Sequence, residues 1–137
     1  MAEKRSKEPT KKYPEKSDDR RAFGLEAEQI ALDYLEKKGF RLMARNYRTS
    51  FGEIDLIGML DGRIVFVEVR ARRSRSFGTP QESITERKKR TLRRVALSFL
   101  HTETKNLPPN AGLRFDVIAV RRDPQGKDTI EHLPAAF

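Results

Sequence analysis

A chain of 137 residues is long enough for one domain with a real but modest core. It carries no cysteine and only two histidines, which excludes a disulfide framework and a thiolate metal site and leaves little for an imidazole one. Its formal net charge of +9, with a sequence pI near 10.1, points to a polyanionic partner, and no stretch approaches the roughly 20 apolar residues of a membrane span.

Residues 1–17 are rich in Lys, Glu, Pro and Ser with almost no apolar content, and are expected to be disordered. On that reading 1–19 form a basic tail ahead of a single α/β domain over 20–137. The tail lacks the apolar core of a secretory signal, and these absences together favour a cytoplasmic soluble protein. Asp18 or Asp19 caps a first helix over about 20–38, which stops at Gly39. Phe40–Arg48 reads as a first strand. Two β-rich runs, Gly52–Ile57 and Arg63–Arg70, flank Asp61-Gly62, the sequence of a two-residue hairpin turn. Arg72–Gly78 is a basic loop. Thr79-Pro80-Gln81-Glu82 has the cap, proline and glutamate of a helix start, and Thr85 offers a second start for a helix that runs to about His101. A loop through Pro108-Pro109 leads to a fourth strand at Leu113–Arg121. A turn at Asp123–Gly126 precedes a short strand at about 129–133. Helices and strands in this order give a mixed sheet covered by helices.

The hairpin carries the first chemical signal. With Asp61 and Gly62 as the turn, Leu60 faces Arg63, and counting back along both strands sets Asp55 opposite Glu68 and Glu53 opposite Arg70. Facing residues share a side of the sheet, with Cβ atoms about 4.5–5.5 Å apart. Two carboxylates at that spacing repel unless something sits between them, and a divalent cation with hard oxygen ligands suits the position. A one-residue shift of register, or a solvated polar end of the sheet, is the plain structural alternative.

Helical geometry adds two more residues. At about 100° per residue, Glu28 falls inside an apolar stripe formed by Gly24, Leu25, Ala31, Leu32 and Leu35. A carboxylate there would be buried and must be paired. It either leans toward Asp55 and Glu68 or forms a salt bridge to Arg114 or Lys88. Lys88 lies among Ile84, Leu92, Val95 and Phe99, while Arg87, Lys89, Arg90 and Arg93 point elsewhere. It either neutralises the carboxylates or touches a phosphate, or its aliphatic stem snorkels out of the core. Arg114 and Asp116 share a face of the fourth strand, and a structural ion pair with a neighbouring strand is the first reading. His101 and His132 look incidental. Residues 70–94 hold ten basic and two acidic side chains, a net of +8 beside the carboxylates. That is the footprint of a nucleic-acid surface; the bland alternative is a solvated basic helix.

Gly24-x-x-x-Glu28-x-x-Ala31, Gly52-Glu53-Ile54-Asp55-Leu56-Ile57, Phe66-Val67-Glu68-Val69-Arg70-x-Arg72, Phe77-Gly78, Lys88 and Arg114-Phe115-Asp116 occur in this order. Together they resemble the YraN-like family of bacterial proteins, placed in the restriction-endonuclease-like fold of the PD-(D/E)xK nuclease superfamily, near archaeal Holliday-junction resolvases. The resemblance covers about 20–133. It implies a mixed central sheet flanked by helices. It carries the superfamily's metal-binding acidic positions onto Glu28, Asp55 and Glu68, with Mg²⁺ or Mn²⁺ as the cofactor. Arg70 stands in the place of the signature Lys. Arginine stabilises phosphorane charge but stays protonated, so it is no base.

The expected function is a metal-dependent endonuclease on DNA, ahead of RNA, with branched or recombination-type DNA first. Glu28, Asp55, Glu68, Arg70 and Lys88 form its catalytic set. Arg72, Arg73, Arg75, Arg87, Lys89, Arg90 and Arg93 track the backbone. Few aromatics accompany these basic residues, so duplex backbone contact ranks ahead of base stacking. The alternative is a nucleic-acid-binding module that keeps the nuclease fold without turnover. A third, weaker option is an assembly protein whose basic face binds an acidic partner. Junction resolvases act as homodimers, a state the resemblance allows, although no dimer surface is legible in the sequence.

Overall fold

The computed structural model describes residues 15–73 and 84–137. Helix α1 (Glu15–Lys37) leads into β1 (Arg41–Thr49), β2 (Gly52–Leu60) and β3 (Arg63–Arg73). Then come α2 (Glu86–Thr102), a short 3₁₀ turn (Thr104–Asn106), β4 (Gly112–Arg122) and β5 (Asp128–Leu133). The five strands form one mixed sheet in sequence order, with β3 and β4 parallel and the other neighbours antiparallel. Parallel neighbours need a long crossover, and α2 supplies it. The expected α/β architecture, a mixed sheet flanked by helices, is what forms.

Central β3 explains how the layers hold together. Its apolar run is buried on both sides, as a strand inside a covered sheet must be. Ile64 and Phe66 pack with Leu92, Val95, Ala96 and Phe99 of α2. Val65 and Val67 pack with Phe23, Ala27, Ala31 and Leu35 of α1. Each such fully buried side chain contributes about 1.5–3 kcal/mol relative to exposure. Because Val69 and Ala71 continue the α1 side, alternation leaves Glu68 and Arg70 on the side of α2.

The first helix departs from expectation at two points. It is already helical at Glu15 rather than starting at about 20; residues 1–14 lie outside the described residues. Its docking line is Phe23, Ala27, Ala31 and Leu35, spaced four residues apart, with the two alanines letting helix and sheet approach closely. Glu28 is therefore at the border of the buried stripe, half-buried, and Leu25 is 58% exposed. Gly39 ends the helix with φ +101, as its position predicts.

The hairpin keeps the expected register. Asp61 (φ 53) and Gly62 (φ 75) both take left-handed conformations, and pairing runs from Leu60–Arg63 back to Leu56–Val67. Helix α2 uses the Thr85 start: the Thr85 hydroxyl accepts from the Lys88 N–H at 3.1 Å. Arg72 and Arg73 belong to β3 rather than to a loop. Arg75, Phe77, Gly78 and the Thr79 start lie outside the described residues. Among the described residues, no helix is long and apolar enough to cross a membrane.

Candidate functional site

The site forms where the β2–β3 ladder stops. The rung after Leu56–Val67 would join Asp55 to Glu68, but the Asp55 carboxylate itself takes over as acceptor: its Oδ2 accepts from the Val69 N–H at 2.8 Å. A second irregularity faces it across β2. The β1–β2 ladder passes from Arg45–Leu56 to Tyr47–Ile54 and skips Asn46, whose φ is 52. In consequence Ile54 and Ile57 both pack toward α2 while Leu56 packs toward α1, so strict alternation fails at Asp55. The Val69 N–H holds the Asp55 carboxylate in the seam between β2 and β3.

Around this seam the acidic groups are arranged in two layers. Glu68 is 6% exposed, with Lys88 Nζ and Arg70 Nε each 3.7 Å from its Oε2. Lys88 thus reaches inward from α2 to the carboxylates, one of its two expected roles. Glu28 and Glu53 form the outer layer. With its amide turned to suit both, Asn46 donates to Glu28 Oε1 at 3.2 Å and to Glu53 Oε2 at 3.0 Å. The expected pairing of Glu53 with Arg70 is replaced, because the β2–β3 ladder ends before it. Glu53 instead accepts from Arg48 on β1 at 2.9 Å. The salt bridges considered for Glu28 do not form either, since Arg114 pairs with Asp116 and Lys88 with Glu68.

Burial, then the Glu68 charge, pushes the Asp55 carboxyl up to about 7, with Glu28 and Glu53 adding to the effect and the Val69 N–H opposing it. Burial also raises Glu68, opposed by Lys88 and Arg70. Two interacting carboxyls titrate as a pair, and the second proton must leave next to an existing negative charge. A pair that resists carrying two negative charges is a pair that gains from a cation. Mg²⁺ is commonly held by one or two carboxylates together with substrate phosphate oxygens, and Asp55 with Glu68 fits that donor set. Among the described residues, no three or more His, Cys, Asp or Glu side chains form a ready-made cage.

Positive charge gathers along the same end of the sheet. The parallel register sets Arg72 opposite Arg121 and Arg73 opposite Arg122. Burial and the charges of Arg70 and Arg121 lower the Arg72 pKa. Arg121 also reaches Glu131 of β5 at 3.7 Å. Arg73 and Arg122 fall on the other face, where their guanidinium carbons stand 4.7 and 4.4 Å from the centre of the Phe23 ring. Arg122 also pairs with Asp128 and Glu26. On α2, Arg87 and Arg90 are exposed. Lys89 reaches Glu86 at 3.0 Å, and Lys89 and Arg93 both lie over the Phe137 ring.

Four residues of this neighbourhood escaped the sequence reading: Asn46, Arg94, Arg121 and His132. Arg94 was counted among the ten basic residues of 70–94, and Arg121 closed the expected fourth strand. His132 is not incidental. Its Nε2 lies 2.7 Å from Asp116 Oδ2, and its Nδ1 lies 3.3 Å from the Tyr34 hydroxyl. Arg114 forks onto Asp116 on its own strand at 2.9 and 2.8 Å, so the expected cross-strand ion pair forms within β4 and gains His132 from β5.

A mixed sheet with a helix on each face, opening between its central strands onto acidic and basic side chains, is a restriction-endonuclease-like architecture. The chain belongs to the family described as "Uncharacterised protein family UPF0102", whose model matches residues 27–120, a span that includes Glu28, Asp55, Glu68, Arg70 and Lys88. A UPF0102 protein of Syntrophomonas wolfei is 40% identical over 117 residues, covering 85% of this chain and 98% of that one. One from Trichlorobacter lovleyi is 43% identical over 117 residues, covering 85% and 90%. One from Alkaliphilus oremlandii is 44% identical over 115 residues, covering 84% and 97%. The YraN-like resemblance read from the sequence is thereby borne out.

Proposed function

We propose that this protein is a metal-dependent endonuclease-like protein acting on DNA, with branched or recombination-type DNA as its first substrate class. The observation that carries this reading is the Asp55–Glu68 pair just past the end of the β2–β3 ladder, with Lys88 and Arg70 each 3.7 Å from Glu68. Asp55 and Glu68 would hold Mg²⁺ or Mn²⁺, with Glu28 and Glu53 behind them on Asn46. A divalent ion held there supplies Lewis acidity toward water and a phosphate oxygen. Lys88 and Arg70 then offset the charge that develops on the phosphate. Arg70 remains protonated throughout, so its part is electrostatic and not proton transfer. Arg72 and Arg121 hold the neighbouring phosphate, and the exposed Arg87 and Arg90 extend the track along the backbone. Symmetric cutting of two strands would take two copies of the chain.

A binding module without turnover is the second reading, favoured by one observation: Arg70 occupies the position of the superfamily's lysine. The test is incubation with Mg²⁺ or Mn²⁺ and labelled single-stranded, duplex, flapped and four-way DNA, in parallel with Glu68→Gln. Cleavage that disappears in Glu68→Gln while binding persists supports the nuclease. Binding without cleavage in both supports the module, and Arg70→Lys then asks whether the missing lysine is the cause. Failure to bind any of these DNAs at moderate salt overturns both readings.

A further inference from the structure

Phe51 stands at the tip of the β1–β2 turn with 51% of its surface exposed, the one exposed Phe or Tyr among the described residues. The turn that carries it is firmly held. The Phe51 N–H donates to Thr49 Oγ1 at 3.0 Å. Gly52 has φ +152, and a Cβ there would stand 2.7 Å from the Thr91 methyl of α2. Only glycine lets the turn lie this close against the helix. From the same helix, Arg94 places its guanidinium 5.5 Å from the Phe51 ring centre.

The ring is close to the carboxylates by construction. Gly52 opens β2, the strand that carries Asp55. Lys88, which contacts Glu68, precedes Arg94 by six residues on α2, or about 9 Å along the helix axis. Exposed Arg90 lies one turn before Arg94 on the same helix, and Arg48, paired with Glu53, lies three residues before Phe51 in the chain. Exposed aromatic rings flanked by arginine are what proteins use to receive bases, because every base has a π face and every linker a phosphate. A continuous duplex keeps its bases stacked and offers none to such a ring. A flap, fork or gap offers one.

We propose that Phe51, backed by Arg94, is a stacking platform for an unpaired base, and that it directs the neighbouring carboxylate site to junctions between single-stranded and duplex DNA. This deepens and rests on the nucleic-acid reading above. It also revises the expectation that stacking ranks behind duplex contact. Phe51 and the basic helix are far apart in the sequence, and only the fold joins them.

The chain contains no tryptophan, so Phe51→Trp places a single tryptophan at the platform. Full-length Phe51→Trp is titrated, without divalent metal, with a flapped DNA and with a blunt duplex of equal length. Binding is followed separately by anisotropy of a label on the DNA. Stacking predicts strong quenching by the flap and little by the duplex. It also predicts that Phe51→Ala weakens flap binding by about tenfold while duplex binding changes by less than about twofold. Arg94→Gln should reduce the flap-induced quenching. Flap binding by anisotropy with unchanged tryptophan emission, and wild-type affinity in Phe51→Ala, overturns the platform and leaves the nucleic-acid reading standing. Absence of DNA binding by anisotropy overturns the reading beneath it. A concentration-dependent emission shift without DNA assigns Phe51, with the nearby exposed Leu97, to contact between copies and also overturns the platform.

Discussion

Asp116 and the Asp55–Glu68 pair are acidic groups set into the same sheet, and the fold treats them in opposite ways. Asp116 is fully buried. Its oxygens accept from Arg114 Nε and Nη2, from the Ala135 N–H at 3.0 Å, and from His132 Nε2, which must carry the proton because a carboxylate only accepts. Burial alone would raise its pKa, but the bonds from His132, Arg114 and Ala135 outweigh it and hold the carboxyl below its ordinary value. Asp55 has one backbone donor and three carboxylate neighbours, and its pKa rises. A completed donor shell marks a carboxylate that holds the fold together. An incomplete one, beside a Glu68 that holds Lys88 and Arg70 at 3.7 Å, is the candidate for a partner from outside.

The contrast predicts stability changes of opposite sign. Asp116→Ala strips the partner from a partly buried Arg114 and cuts the tie to β5, and should cost about 3–5 kcal/mol in urea unfolding. Asp55→Asn keeps an oxygen for the Val69 N–H and removes the repulsion. In metal-free solution at pH 8 it should stabilise the fold by about 1 kcal/mol or more, a single pKa unit being worth about 1.4 kcal/mol. Clear destabilisation there would make Asp55 a structural acceptor and end the contrast.

The pH dependence separates the two sites as well. For Asp55, between the ordinary 3.8 and about 7 the unfolded chain has lost its proton while the folded one keeps it. Stability therefore falls as pH rises through that window, and Asp55→Asn should flatten the slope. Asp116 works the other way: its contribution is present above the ordinary carboxylate pKa and is lost as pH falls below it. Melting temperatures of the wild type and Asp55→Asn across pH 4–8 would reveal the first trend. The smallest effect is expected for Arg48→Ala. Its pair with Glu53 has the Arg48 side chain 77% exposed, and such surface pairs contribute about 0.2–1 kcal/mol.

Much of this arrangement was legible in the sequence where short-range rules apply. Asp61-Gly62 set the hairpin register and brought Asp55 and Glu68 together just past the last rung of the ladder. Spacing on α2 singled out Lys88. Glu28 was misplaced toward the centre of its stripe because periodicity gives the angles between residues but not which row docks, and the Phe23–Ala27–Ala31–Leu35 row docks here. Long-range features left no local trace. Arg121 meets Arg72 only through the parallel register of β3 and β4. Asn46 joins the site only because β1 breaks its ladder there. His132 finds Asp116 from the neighbouring strand, and nothing in its flanking sequence marks that role.

The central claim is that Asp55 and Glu68 form a divalent-cation site. The most direct measurement is a Mn²⁺ titration of the metal-free protein followed by electron paramagnetic resonance of free Mn²⁺, in wild type and Glu68→Gln at neutral pH. The account predicts saturable uptake by the wild type, accompanied by proton release from the carboxyls, and loss of that uptake in a folded Glu68→Gln. Equal uptake by both proteins, or none by the wild type at millimolar Mn²⁺, would contradict it.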